Sequence, residues 1–208
     1  MIHNNYDKEN NMSKENIKMI SVFTIIIILA LILIVTTNQT QAKENYLVEI
    51  NIKNYGTLQL ELYPKIAPKT VENFINLVNE EFYNGLTFHR IIEGFMIQGG
   101  DPKANGTGGS SKTIQGEFEI NGFKNTLSHK RGVISMARSD DYNSASSQFF
   151  IMHKDNIGLD GWYAAFGKVI KGIEIIDKIT QNTPVEDDNG TVLKNNQPII
   201  EYIKIIDK

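Results

Sequence analysis

Arg90 and Gln98 stand among large apolar side chains in the stretch "FHRIIEGFMIQGGDP", Phe88 to Pro102. A guanidinium is charged at every relevant pH and presents fixed donors, and a primary amide can both donate and accept. Beside Phe95 and Met96 the pair can hold the polar atoms of a ligand over an apolar surface. It supplies no acid, base or nucleophile. The more familiar chemistries find little support elsewhere. The glycine-rich Gly99 to Ser111 lacks the G-x-x-x-x-G-K-[ST] spacing and the following helix that cradle a phosphate. His3, His89, His129 and His153 have no metal-ligand spacing, so no metal site is expected. No serine lies in a G-x-S-x-G elbow. Ser135 or Ser147 could meet His89 or His129 in space, although no spacing argues for it. Asp140-Asp141 and Glu186 to Asp188 read as solvated loop charge.

If the opening stretch is a strand pair bent at Gly94, strict alternation puts Phe88 and Arg90 on one face, and Met96 and Gln98 on one face. The surrounding chain predicts a frame for it. Apolar and polar residues alternate on both sides of Asn54-Tyr55-Gly56 across Tyr46 to Pro64, as in a hairpin. Pro68 opens a segment to Glu81 in which Val71, Phe74, Ile75 and Val78 recur at helical spacing. A shorter helix fits Gly172 to Thr180, and Pro198 to Ile206 alternates as a closing strand. Between these lie short apolar runs at Gly132 to Met136, Gln148 to Met152 and Ala164 to Val169. Many short strands with two helices point to an antiparallel barrel or sandwich.

Composition agrees with one globular domain: 208 residues, 41% apolar, 22% charged, no cysteine. The formal charge of -3, with cations scattered singly, argues against a nucleic-acid partner. The N-terminus is a separate matter. Residues 1–18 carry Lys8, Lys14 and Lys18, and Met19 to Val35 is an uncharged apolar run with no polar stripe. It reads as a retained membrane anchor with the N-terminus cytoplasmic, followed by a polar linker at residues 36–45. Thr40-Gln41-Ala42 offers a cleavage site for the alternative, a signal peptide and a secreted domain.

From Tyr46 to Lys208 the chain resembles the cyclophilins, which are peptidyl-prolyl cis-trans isomerases. The likeness rests on "FHRIIEGFMIQGGDP", "NGTGGS", "GVISMAR", "SASSQFFI" and "LDGWYAAFGKVIKG", in the family's order and approximate spacing. It implies a mainly β fold: an eight-stranded antiparallel closed barrel capped by two helices, with the substrate groove on the outside of its wall. It further implies that Arg90 is the catalytic arginine and that Phe95, Met96, Phe150 and Leu159 line a proline pocket. Gln98, Ala137 and Arg138 would contact the substrate backbone. Phe88, Gly106 and Gln148 match positions around that groove, and Tyr163 stands where many relatives have histidine. Gly158 departs from the pattern, since relatives often carry tryptophan or histidine there. Weak cyclosporin binding is therefore expected.

The implied reaction suits this inventory, because rotation about an X-Pro bond breaks no covalent bond. Its barrier of roughly 18–20 kcal/mol comes from delocalisation of the nitrogen lone pair. No cofactor is needed. The expected partners are proline-containing polypeptides and unfolded exported proteins, met by a monomeric domain held outside the cytoplasm. Two alternatives are a proline-peptide-binding chaperone module with little turnover, and a hydrolase in which a serine and a histidine converge.

Overall fold

The computed structural model describes Met19, residues 24–28 and residues 45–207. Residues 24–28 are helical, and among the described residues no helix is long and apolar enough to cross a membrane. Most of the expected anchor, all of residues 1–18 and nearly all of the linker lie outside the described residues. The chain divides into two units, Met1–Ala42 and Lys43–Lys208, and the account below concerns the second.

Eight strands form one antiparallel sheet. They are β1 (Tyr46–Ile52), β2 (Gly56–Leu62), β3 (Phe88–Ile92), β4 (Met96–Gly99), β5 (Val133–Met136), β6 (Phe149–Met152), β7 (Ala165–Lys171) and β8 (Ile200–Asp207), in the order β3-β4-β6-β5-β7-β2-β1-β8. The β1–β2 hairpin falls where the alternation places it, with Val48, Ile50, Ile52, Leu58, Leu60 and Leu62 all turned inward. The expected closed barrel is not formed. The terminal strands β3 and β8 share no ladder; the chain just before β3 meets the start of β8 through one bridge, Thr87 to Ile199, with bonds from the Phe88 N–H to the Pro198 carbonyl, from the Ile200 N–H to the Leu86 carbonyl and from the Gly85 N–H to the Ile200 carbonyl. Pro198 has no N–H with which to return that bond, so pairing stops and the sheet remains a curled half-barrel.

Two α-helices cover the sheet's concave side. The first, α1 (Pro68–Asn79), buries Val71, Phe74, Ile75 and Val78 as its spacing requires. It ends two residues before the predicted boundary, Glu81, which takes a left-handed φ of 54° that a helix cannot continue through. Its N-terminus has no local side-chain cap. Instead the buried carboxylate of Glu117, from a distant loop, accepts the Lys69 N–H at 3.0 Å, the Thr70 N–H at 2.8 Å and the Thr70 hydroxyl at 2.8 Å. The second, α2 (Glu174–Asn182), starts two residues after the predicted Gly172. Gly172 has φ +85°, and a Cβ there would stand 2.6 Å from the Thr57 carbonyl.

The inner core is dominated by aromatic rings. Phe74 of α1 packs on Tyr83, Phe149 and Phe166 with centroids 5.1, 5.7 and 5.3 Å away, and Phe88 meets Phe149 edge-on at 6.0 Å. A second, smaller cluster lies on the convex side of the same strands: Met96, Val133, Phe150, Met152 and Ala165, with Phe95, Leu159 and Tyr163 packed against it.

Candidate active site

Strand β3 departs from strict alternation, and the departure builds the site. Its register against β4 shifts between Phe88 and Arg90, which pair with Gly99 and Gln98. Two consecutive residues thus oppose one step of β4, a bulge centred on His89. Phe88 points into the inner core while Arg90 emerges on the convex side. The expectation that these two share a face is corrected. Met96 and Gln98 do share one, and both line the convex cleft.

That cleft has a volume of about 520 Å³ and gathers Arg90, Phe95, Met96, Gln98, Gly106, Ala137, Arg138, Phe150, Leu159 and Tyr163. Of the remaining residues singled out by resemblance, Gln148 lines an adjoining polar hollow of about 260 Å³, and Phe88 touches neither. The groove also has a wall that the sequence reading missed, the strap Asn189 to Lys194 with Gln197, together with His89, Ala104 and Asn105. The only sequence sign of this wall was the turn-forming Asn189-Gly190 after an acidic run, which does not say what it lies beside.

A relay of amides fixes the arginine. The Arg90 Nε–H donates to the Asn189 carbonyl at 2.8 Å, and Nη1 donates to the Gln98 Oε1 at 3.3 Å. Gln98 donates in turn to Gln148 at 2.9 Å, and Gln148 Nε2 donates to the carbonyls of Gly106 at 3.0 Å and Gly108 at 2.7 Å. The loop that supplies those carbonyls is held by buried Asp101, whose carboxylate accepts the N–H groups of Lys103, Asn105 and Gly106. Burial pushes the Asp101 pKa up, but those backbone donors outweigh it and hold the carboxyl below its ordinary value. Nε and Nη1 are thus each committed to a protein acceptor, while Nη2 has no acceptor among the described residues.

Arg138 is engaged differently. Its guanidinium lies 5.2, 5.0 and 4.8 Å from the ring centres of Phe118, Tyr142 and Tyr163 and donates to the Trp162 and Ser139 carbonyls. It is a clamp on the cleft's far wall, and what this segment offers a ligand is backbone.

Beneath Phe150 a serine, a histidine and an aspartate do converge. His129 Nδ1 is 2.8 Å from Asp160 Oδ1, and Nε2 is 3.0 Å from the Ser135 hydroxyl. A carboxylate can only accept, so Nδ1 carries the proton and Nε2 accepts from Ser135. Burial holds the His129 pKa below its usual value although Asp160 pulls the other way. For Asp160 burial pushes up, and hydrogen bonds from Ser128 and His129 prevail and pull it down. Ser135 has no accessible surface and His129 only 1%. The His129 ring is stacked under Phe150, centroids 6.0 Å apart and 17° from parallel. No substrate reaches that serine, so the triad serves as a pillar under the cleft floor and the hydrolase alternative loses its nucleophile.

An apolar floor with one fixed guanidinium and a ring of amides and carbonyls is chemically equipped to seat an extended polypeptide and to polarise one of its atoms. Known proteins share the arrangement's chain. Residues 47–206 match the family described as cyclophilin type peptidyl-prolyl cis-trans isomerase/CLD. The chain is 44% identical over 143 residues to peptidyl-prolyl cis-trans isomerase B of Bacillus subtilis, covering 69% of this chain and 91% of that protein. It is 43% identical over 154 residues to peptidyl-prolyl cis-trans isomerase-like 2 of Gibberella zeae, covering 74% of this chain but only 25% of that longer protein. The crystal structure of a Cryptosporidium parvum cyclophilin type peptidyl-prolyl cis-trans isomerase, determined in the presence of the dipeptide Ala-Pro, superposes with a TM-score of 0.68 at 35% identity, covering 78% of this chain and 99% of that one. The chain belongs to the cyclophilin-type peptidyl-prolyl cis-trans isomerases.

Proposed function

We propose that catalysis takes place in the Arg90 cleft, with the prolyl ring seated on Phe95, Met96, Phe150 and Leu159 and the guanidinium donating to the prolyl nitrogen. As the C–N bond twists, that nitrogen pyramidalises and its lone pair turns from the carbonyl toward the donor. The hydrogen bond strengthens only on the way to the transition state, which is the condition for a binding interaction to raise the rate. The observation that carries this reading is the fixed guanidinium over an apolar floor, its Nε tied to Asn189 at 2.8 Å. Gln98 and the backbone at Ala137 and Arg138 guide the rotating carbonyl of the residue before proline.

A 10⁴-fold acceleration corresponds to about 5.5 kcal/mol, whereas a charged hydrogen bond contributes about 1.5–3 kcal/mol. Arg90 therefore acts together with preorganised seating of the ring. The direct test is NMR exchange on an X-Pro peptide with the full-length protein. It should show accelerated interconversion together with shifts confined to the cleft residues. Binding without exchange enhancement would favour the chaperone module instead.

The clients on this reading are exported polypeptides, because the apolar run Met19 to Val35 would hold the domain outside the cytoplasm as a monomer. Fractionation checks it. The uncleaved chain should travel with membranes, and protease added to wall-stripped cells should digest the domain. Recovery of a soluble form beginning near Lys43 would show a cleaved signal instead.

A further inference from the structure

The cleft continues past Arg90 on the flank opposite Ala137, and that flank has its own chemistry. Laterally, β3 lies between β4 and the strap: Arg90 pairs with Gln98 on one side and with Thr191 on the other, and the Val192 N–H donates to the His89 carbonyl at 3.0 Å. His89 floors this flank. The residue is 5% exposed, and neither of its buried ring nitrogens has a hydrogen-bond partner. Buried polar atoms are rarely left so, and both nitrogens are covered here, so a small turn of the ring toward a bound ligand would gain the hydrogen bond that the protein does not supply. Burial, reinforced by Arg90 and opposed by Asp101, lowers its pKa, so it offers one N–H and one lone pair. Charge supplies the second observation. Arg90, Arg138 and Lys194 line the cleft, and among the described residues no carboxylate does, in a chain whose formal charge is -3. Arg90 and Arg138 already donate to protein acceptors. Lys194 is exposed at the rim beside Leu193, which is 48% exposed.

The inference rests on the reading of Arg90 as the catalytic donor. If the rotating carbonyl before proline turns toward Gln98 and Ala137, the chain after proline leaves across Arg90 toward the strap. We propose that this flank selects an acidic residue directly after the proline, its carboxylate held by Lys194 at the rim, its methylenes laid along Leu193, and the His89 ring turning to donate its N–H once the ligand is seated. A basic residue there meets Arg90 and Lys194 with no carboxylate lining the cleft to neutralise it, the nearby Asp187 being engaged by Thr191.

The test is kcat/KM of the full-length protein on Ala-Ala-Pro-Xaa-Phe peptides with Glu, Gln or Lys following proline. The order Glu, Gln, Lys is expected, with Glu ahead of Lys by about 3- to 10-fold at low salt, the scale of one or two partly exposed charge contacts. Raising the ionic strength should narrow the ratio. Lys194→Glu should invert it, whereas Lys178→Glu, at an exposed position of α2 outside the cleft, should leave it unchanged. Equal rates for the Glu and Lys peptides, or an equal shift from Lys178→Glu, would overturn the selection while the catalytic reading stood. Failure to turn over even the Gln peptide would overturn both.

Discussion

Phe149 and Phe150 are neighbours on β6, both at least 95% buried, and they do opposite things. Phe149 points to the concave side, where Phe74, Tyr83 and Phe88 surround it. Phe150 points to the convex side, over His129 and edge-on to Tyr163 at 5.8 Å. The inner face is filled by the protein's own side chains and its burial stabilises the fold. The outer face is only half filled, and the space left over is the cleft. On the proposed reading, function comes from apolar surface that folding does not use.

The sharpest way to break this comparison is to truncate each ring. Phe149→Ala removes a ring from a closed aromatic cluster and should lower the unfolding free energy by about 3–5 kcal/mol, with the folded fraction still active. Phe150→Ala opens onto an existing cleft, so it should cost less stability and more activity. Urea denaturation paired with the isomerisation assay measures both. Losses of stability and activity in the same proportion for the two variants would show that the faces are not separable.

Arg90→Ala tests the outer face alone. It should cut kcat/KM by about 10²–10³, the scale for one transition-state donor, with the denaturation midpoint nearly unchanged. Near-wild-type turnover would remove Arg90 from the mechanism.

The two faces also differ in how far the sequence revealed them. The inner face was legible wherever one side of an element meets solvent: Val48 to Leu62 alternate and α1 repeats its apolar stripe, so those elements were expected nearly where they stand. Strands β5 and β6 are buried on both faces, so "VISM" and "FFIM" show no alternation and give no hint of which side chain faces outward. The bulge at His89 was invisible for a related reason, since alternation assumes an unbroken register. Family resemblance identified most cleft residues because their motifs are local in sequence. The strap from Asn189 and the His129–Asp160–Ser135 pillar are assembled across the fold, and no motif announces them.

Gly158 sharpens the comparison at the cleft's rim. It lies in the short 3₁₀ turn Ile157–Leu159, and its φ is not in the left-handed region that would demand glycine. A Cβ would stand 3.1 Å from the Asn156 Oδ1, which accepts the Gly158 N–H at 3.2 Å, so a side chain requires only that this amide shift slightly. Without an indole to pack on the ligand and donate a hydrogen bond, cyclosporin inhibition should be weaker by about 30- to 150-fold than with tryptophan present. Gly158→Trp should recover much of that while changing peptide turnover little. Tight inhibition of the unmodified protein would refute this reading.

The smallest effect expected is on activity against pH. Arg90 does not titrate in the working range, and the two histidines nearest the cleft, His89 and His129, are both shifted downward, chiefly by burial. Turnover should be flat between pH 7 and 9. Stability should not be flat below that. Both histidines return to about 6.5 when unfolded, so below that pH the unfolded chain binds more protons than the folded one and stability falls as the pH drops. Asp101, Asp160 and Asp177 act in a lower window. Asp177, held down first by its hydrogen bond from Arg131, and the other two, held down by their donors against burial, contribute fully above the ordinary carboxylate range and lose that contribution as the pH falls through their folded values. Because both histidines sit at the cleft, the first acid-induced loss should begin there: cleft resonances should shift near the top of this range while those of the Phe74 and Phe149 cluster hold. A bell-shaped rate profile centred near neutrality would instead make one of these histidines a proton donor or acceptor in the reaction. Simultaneous loss of both faces would show that the pillar under Phe150 and the inner core melt as one unit.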